Sequence, residues 1–229
     1  MMDEPPQPLE LPRGLIFISA LWLIGTWIIA MGVSTPVQTS SASYTPSFRL
    51  MLLCIVIGLM IGWPLLRLSQ AAHPYPIKAT LLDLSVLISM IQVILWPLRL
   101  ITPWSIQRTA AIDATICAWL LLAGAVVASA IGTNRKGPRN LAMLTCIAMC
   151  LLGPALATMG IQFSFLDAEL IELSPLMAVH TLTEGAGAHP LAQEWQWIGL
   201  LGFAAISVWI VLGSITVWKI RPALSGLRS

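Results

Sequence analysis

Charge is what this sequence has least of. Of its 229 residues only 10% are Asp, Glu, Lys or Arg, against about a quarter in a water-soluble domain. That shortage excludes a sizeable soluble catalytic domain, a nucleic-acid reader and a disordered scaffold, all of which need solvated or strongly charged surface. Reaction signatures are missing as well. There is no Gly-rich phosphate loop, HExxH, GxSxG or CxxC, so no nucleophile and base can be paired and no enzyme is expected. The three histidines, His73, His180 and His189, fall outside every long apolar run. Paired haem ligation inside a membrane is thereby excluded, and no cofactor is expected. Strand-like alternation is absent too, which excludes a barrel.

What is present is apolar. Hydrophobic residues make up 57% of the chain and the mean hydropathy is +0.85. Six spans of about 20 residues need roughly 120 residues, which this composition supplies with little left over. The runs fall at residues 14–33, 48–66, 79–101, 110–132, 140–161 and 197–218. The expected fold is an all-α membrane protein: a single domain over 14–218, built as a bundle of six transmembrane helices between tails at 1–13 and 219–229. The acidic, proline-rich opening is unlike the basic start of a secretory signal and reads as a tail before a retained helix.

Orientation follows from the cations. With the N-terminus cytoplasmic, Arg13, Arg67, Lys78, Arg135, Lys136, Arg139, Lys219, Arg221 and Arg228 lie inside, and Arg49, Arg99 and Arg108 lie outside. This inside bias predicts that both termini are cytoplasmic. The last outer loop, residues 162–194, holds Asp167, Glu169, Glu172, Glu184 and Glu194 and no Lys or Arg. It is too long to be structureless. Ser174 followed by Pro175 is a helix-start signature, and Leu176, Met177, Val179 and Leu182 provide an apolar stripe. The expectation is a short amphipathic helix on the membrane surface, with a second around Phe163, Phe165, Leu166, Leu170 and Ile171.

Small residues mark close helix contacts: Gly58 and Gly62 as a GxxxG, and Gly124, Ala128 and Gly132 as a second row. Pro64, Pro97 and Pro154 are places to bend. Trp63, Trp96, Trp104, Trp195, Trp197 and Trp218 fall near helix ends, as interfacial rings do, while Trp22, Trp27, Trp119 and Trp209 lie deeper. Two similar helix endings, Trp63-Pro64-Leu65-Leu66-Arg67 and Trp96-Pro97-Leu98-Arg99, are too short a match to establish an inverted repeat. Cys54, Cys117, Cys146 and Cys150 all sit in apolar runs and behave as small hydrophobes.

The candidate functional residues are polar groups in apolar surroundings. Ser85, Ser89, Gln92, Trp96 and Arg99 share an arc of about 80° on the third helix. Such a face either lines a path or hydrogen-bonds to neighbouring helices. Asp83 lies on the opposite face, near the cytoplasmic end. Asp113 lies near the outer end of the fourth helix. Each follows a basic residue by five positions, the wrong spacing for a local ion pair, so a partner on another helix is expected, with Asp113 to Arg99 the preferred pair. His180, Glu184, His189 and Glu194 match no trusted metal spacing, and no metal is expected.

Two functions fit these residues. Six helices, both ends inside and a folded loop before the last helix resemble the layout of ABC-2 type exporter permeases, the group that includes the haem-exporter B subunits of cytochrome c maturation. That resemblance implies a transport permease whose ATPase is a separate chain. The chain departs from it in its short, proline-rich N-terminal tail and in the short Arg67 to Lys78 connection, where a coupling helix would dock the ATPase. The other is a non-catalytic subunit of an electron-transfer or energy-coupling complex. Both imply a lipid bilayer, protein partners and no nucleic acid. The expected location is a bacterial inner membrane.

Overall fold

The computed structural model describes residues 12–33, 40–163, 174–184 and 189–225. It is all-helical, with no strand among the described residues. In chain order the elements are α1 (Arg13–Val33), α2 (Ser41–Ile57), a π-helical turn (Gly58–Gly62), α3 (Trp63–Ser69), α4 (Pro76–Leu98), α5 (Ile106–Ile131), α6 (Lys136–Phe163), α7 (Pro175–Glu184) and α8 (Ala192–Ser225). Six stretches are long and apolar enough to cross a membrane: Arg13–Val33, Ser43–Ser69, Pro76–Leu98, Ile106–Ile131, Lys136–Met159 and Ala192–Ile215. The six expected spans are therefore all present. Residues 1–11, 34–39, 164–173, 185–188 and 226–229 lie outside the described residues, and with them the expected helix around Phe165 to Ile171.

Caps move the boundaries away from where hydropathy puts them. Ser40 accepts the Ser43 N–H at 3.3 Å and starts α2 before the apolar run begins, as an N-cap hydroxyl does. Pro76 opens α4 at a position where a missing N–H costs nothing. Ser105 caps α5 through the Arg108 N–H at 3.1 Å. Glu194 opens α8 by accepting the Leu191 N–H at 2.6 Å.

The central helix is α5. Two thirds of its apolar window, 67%, is buried, against 11% for α1 and 6% for α8. Its sequence explains this, because Ala111, Ala118, Ala123, Gly124, Ala125, Ala128 and Ala130 leave room for neighbouring helices to approach. A Cβ on Gly124 would lie 2.7 Å from Leu84 Cδ1, and one on Gly132 3.4 Å from Pro76 Cγ. The expected small-residue row thus seats α4 on α5. The GxxxG of the second span is half used. Gly58 lies flat against the Trp22 indole, while nothing approaches Gly62.

The π-helical turn sits directly before Pro64. Proline has no N–H to donate and its ring collides with the carbonyl four residues back. The chain widens here instead, with the Trp63 N–H reaching Gly58 C=O. One turn earlier, Trp22 Nε1 donates to Cys54 C=O at 3.1 Å. Trp209 Nε1 on α8 donates to Leu121 C=O of α5 at 2.9 Å. Each of the two peripheral helices is thus held by an indole bonded to a backbone carbonyl. Trp63 and Trp104 are buried rather than interfacial, whereas Trp96, Trp195 and Trp197 are exposed.

On the side opposite α7 the connections are tied together. His73 N–H donates to Ile131 C=O at 3.0 Å and Ala72 N–H to Asn134 Oδ1 at 3.1 Å. Arg139 donates to the carbonyls of Thr133, Leu68 and Gln70, a cation satisfying the open end of α3.

Candidate functional site

The first candidate is α7. Its start is as the sequence signals: Ser174 Oγ accepts the Met177 N–H at 3.3 Å and Pro175 occupies the first helical position. Its place is different. The expectation of a helix lying on the membrane surface is corrected, since Ser174, Pro175, Leu176, Val179, Leu182 and Thr183 are all buried and α7 packs among α2, α5 and α6. Pro175 lines a small apolar crevice with Val56, Leu59, Met60, Ile116, Trp119 and Leu120. Those α5 residues lie about 15–21 Å along the helix from Ile106, at 1.5 Å per residue.

The other end of α7 is at the rim. Leu182 C=O accepts from Arg108 Nη1 at 3.3 Å, and Thr183 C=O accepts from Arg49 Nη2 at 3.4 Å. Ten residues give about 15 Å of helix, so α7 runs from mid-bundle to the rim. Its own hydroxyls are satisfied within the helix: Thr183 Oγ1 donates to Val179 C=O and Thr181 Oγ1 to Met177 C=O.

The arginines of the α7 side fasten this helix. Arg49 Nη1 pairs with Glu184 at 3.3 Å. Arg108, 4% exposed, pairs with Glu194 at 3.2 Å and also donates to His189 C=O at 3.4 Å. Cations at the carbonyl end of a helix complement its dipole. Sequence reasoning missed this clamp. The available signal was a ten-residue apolar helix, too short to span, in a loop that is acidic and faces the minority cations. His180 Nε2 lies 3.8 Å from Glu184, and no group of three metal-ligating side chains occurs among the described residues.

The second candidate is an ion pair on the cation-rich side. Asp83, 3% exposed, lies 3.0 Å from Arg67 Nε of α3. Arg67 Nη1 also donates to Gln70 Oε1 at 2.7 Å. The partner of Asp83 is thus on another helix, as its spacing from Lys78 requires.

The third is a hydrogen-bonded chain at the α4–α5 contact. Trp96 Nε1 donates to Gln92 Oε1 at 2.6 Å, and Gln92 Nε2 donates to Asp113 Oδ1 at 2.7 Å. Cys117 Sγ lies 3.6 Å from the same oxygen. The expected Asp113–Arg99 pair does not form: Arg99 is in no ion pair among the described residues. The reason is register. Gln92 faces Asp113, and Arg99 is seven residues on, about 10 Å nearer the helix end. Ser85 and Ser89 are exposed, with each hydroxyl donating to the carbonyl four residues back, Leu81 and Ser85 respectively. The polar arc of α4 therefore divides. Gln92 turns to α5, and the serines lie on the outside of the bundle.

Comparison with known proteins finds no family model, no curated protein and no solved structure that matches this chain.

Proposed function

We propose that this chain is the membrane-embedded permease of a transporter, or one subunit of it. It lies in a bacterial inner membrane, with both termini and the cation-rich side cytoplasmic. The observation that carries the reading is α7, a half-span helix whose N-terminus ends among α2, α5 and α6 at mid-bundle. Irregular elements at that depth characterise membrane proteins that bind and move solutes, because elsewhere a continuous helix satisfies the backbone at lower cost. The described connections between spans on the cation-rich side, at residues 70–75 and 132–135, are too short to hold a nucleotide-binding fold. In this reading any ATPase is a separate chain, as the ABC-2-like layout implies, and it docks elsewhere than on the short Arg67 to Lys78 connection, where the chain departs from that layout.

The exposed hydroxyls of Ser85 and Ser89 favour a second reading, a non-catalytic subunit that packs this face against a partner. Purification of the tagged chain from its native membrane decides between them. A stoichiometric ATPase supports the permease. Stoichiometric redox subunits, or a chain that purifies alone, count against it.

A further inference from the structure

The two ends of the bundle differ in how their cations are neutralised. On the α7 side Arg49 pairs with Glu184 and Arg108 with Glu194. On the opposite side Lys78, Arg135, Lys136 and Arg139 have no acidic partner among the described residues. The one described acid there, Asp83, is buried and taken by Arg67. Folding brings the four cations to one corner. Pro76, which opens α4, sits against Gly132 at the end of α5, and the connections before α4 and after α5 are joined by the His73–Ile131 and Ala72–Asn134 hydrogen bonds. Lys78 comes just after Pro76, and Arg135 and Lys136 just after Gly132, and all three are exposed. Arg139 bridges the two connections through neutral carbonyls, so its charge is not cancelled.

We propose that this corner binds the headgroup of an anionic phospholipid. Depth selects that ligand. At 1.5 Å per residue α4 is about 34 Å long, slightly more than a hydrocarbon layer of about 30 Å, and Lys78 and Lys136 lie in the first turns of α4 and α6. Their ammonium groups therefore sit at headgroup level. Connections as short as residues 70–75 and 132–135 project little beyond it, so a lipid phosphate is within reach where an acidic protein in the water is not. Each Lys or Arg at that level favours anionic lipid by about fivefold. The start of α6 adds to the same field, because its first turn carries no acidic residue and the positive end of its dipole faces this surface. Tyr75, 63% exposed, lies beside Lys78, whose Nζ is 5.5 Å from the ring centroid, an aromatic placed as interfacial rings are. Headgroups line both faces of a bilayer, so the site does not depend on which side is cytoplasmic, nor on transport.

The test uses the delipidated full chain in neutral detergent micelles, titrated with phosphatidylglycerol or with phosphatidylcholine of the same acyl chains, and counts bound lipid by native mass spectrometry. Phosphatidylglycerol should saturate one site per chain and bind about tenfold or more tighter than phosphatidylcholine, and inorganic phosphate at the same concentration should not displace it. Lys78→Gln, Arg135→Gln and Lys136→Gln should each lower the preference by about fivefold or less and together remove it. The charge-keeping set Lys78→Arg, Arg135→Lys and Lys136→Arg should retain it. Equal binding of the two lipids, displacement by inorganic phosphate, tighter binding of polyglutamate than of the lipid, or an unchanged preference in the triple Gln variant would overturn the proposal. The comparison of the two lipids requires no variant, so it decides the matter even if a substitution prevents folding.

Discussion

Arg108, in the first turn of α5, joins three segments: its guanidinium lies 3.2 Å from Glu194 of α8, 3.3 Å from the Leu182 carbonyl of α7 and 3.4 Å from the His189 carbonyl between them. One buried cation therefore positions the half-span helix and the start of the last span together. Arg108→Gln should lower stability by about 2–3 kcal/mol, less than the 3–5 of a fully buried broken pair because Glu194 keeps some solvent contact. A thermal-stability assay in detergent measures this. Protease access to residues 189–191 should rise in the same variant.

Asp83 and Arg67 are a pair that fails when halved. Asp83→Asn or Arg67→Met alone should destabilise by about 3 kcal/mol, because each leaves one uncompensated buried group. The double change Arg67→Met with Asp83→Leu should recover most of that loss. A double-mutant cycle built on Arg67→Met and Asp83→Leu, each alone and together, checks it by melting temperature, and additive losses would contradict the pairing.

The two glycines of the GxxxG should behave differently. Gly58→Ala drives a methyl into the Trp22 indole and should cost about 1–3 kcal/mol, whereas Gly62→Ala meets nothing and should stay within about 0.5 kcal/mol. Gly124→Ala, against Leu84, should resemble Gly58→Ala. Melting temperatures of the three variants rank them.

The division of the α4 polar arc is also measurable. Ser89→Leu should leave stability unchanged in detergent, since the hydroxyl bonds only its own helix and is exposed. Gln92→Leu should destabilise by about 1–2 kcal/mol, because it leaves Asp113 without its principal donor. Equal effects of the two would show that both face the same surroundings.

How legible this was depends on the range of each interaction. The six spans are written in hydropathy alone, which depends only on length and composition. The Gly124–Ala128–Gly132 row is legible for a similar reason: small residues on a membrane helix have few other uses. The start of α7 could be read from Ser174 and Pro175, because capping is local. Its burial could not, because amphipathic patterning is the same whether the apolar side meets lipid tails or helices. Which acid meets which arginine was equally hidden. Asp113 and Arg99 looked complementary by side of the membrane, but the α4–α5 register, set by Gly124 against Leu84, brings Gln92 to Asp113 instead.

The most direct test of the account is the depth of α7. In a chain with Cys54, Cys117, Cys146 and Cys150 replaced by Ala, the pair Val56→Cys and Pro175→Cys is treated with a short bifunctional thiol reagent in native membranes. The account predicts efficient cross-linking within the chain and little reaction of the residue 175 thiol with a membrane-impermeant maleimide. Rapid maleimide labelling at 175 with no cross-link would place α7 on the membrane surface and contradict it.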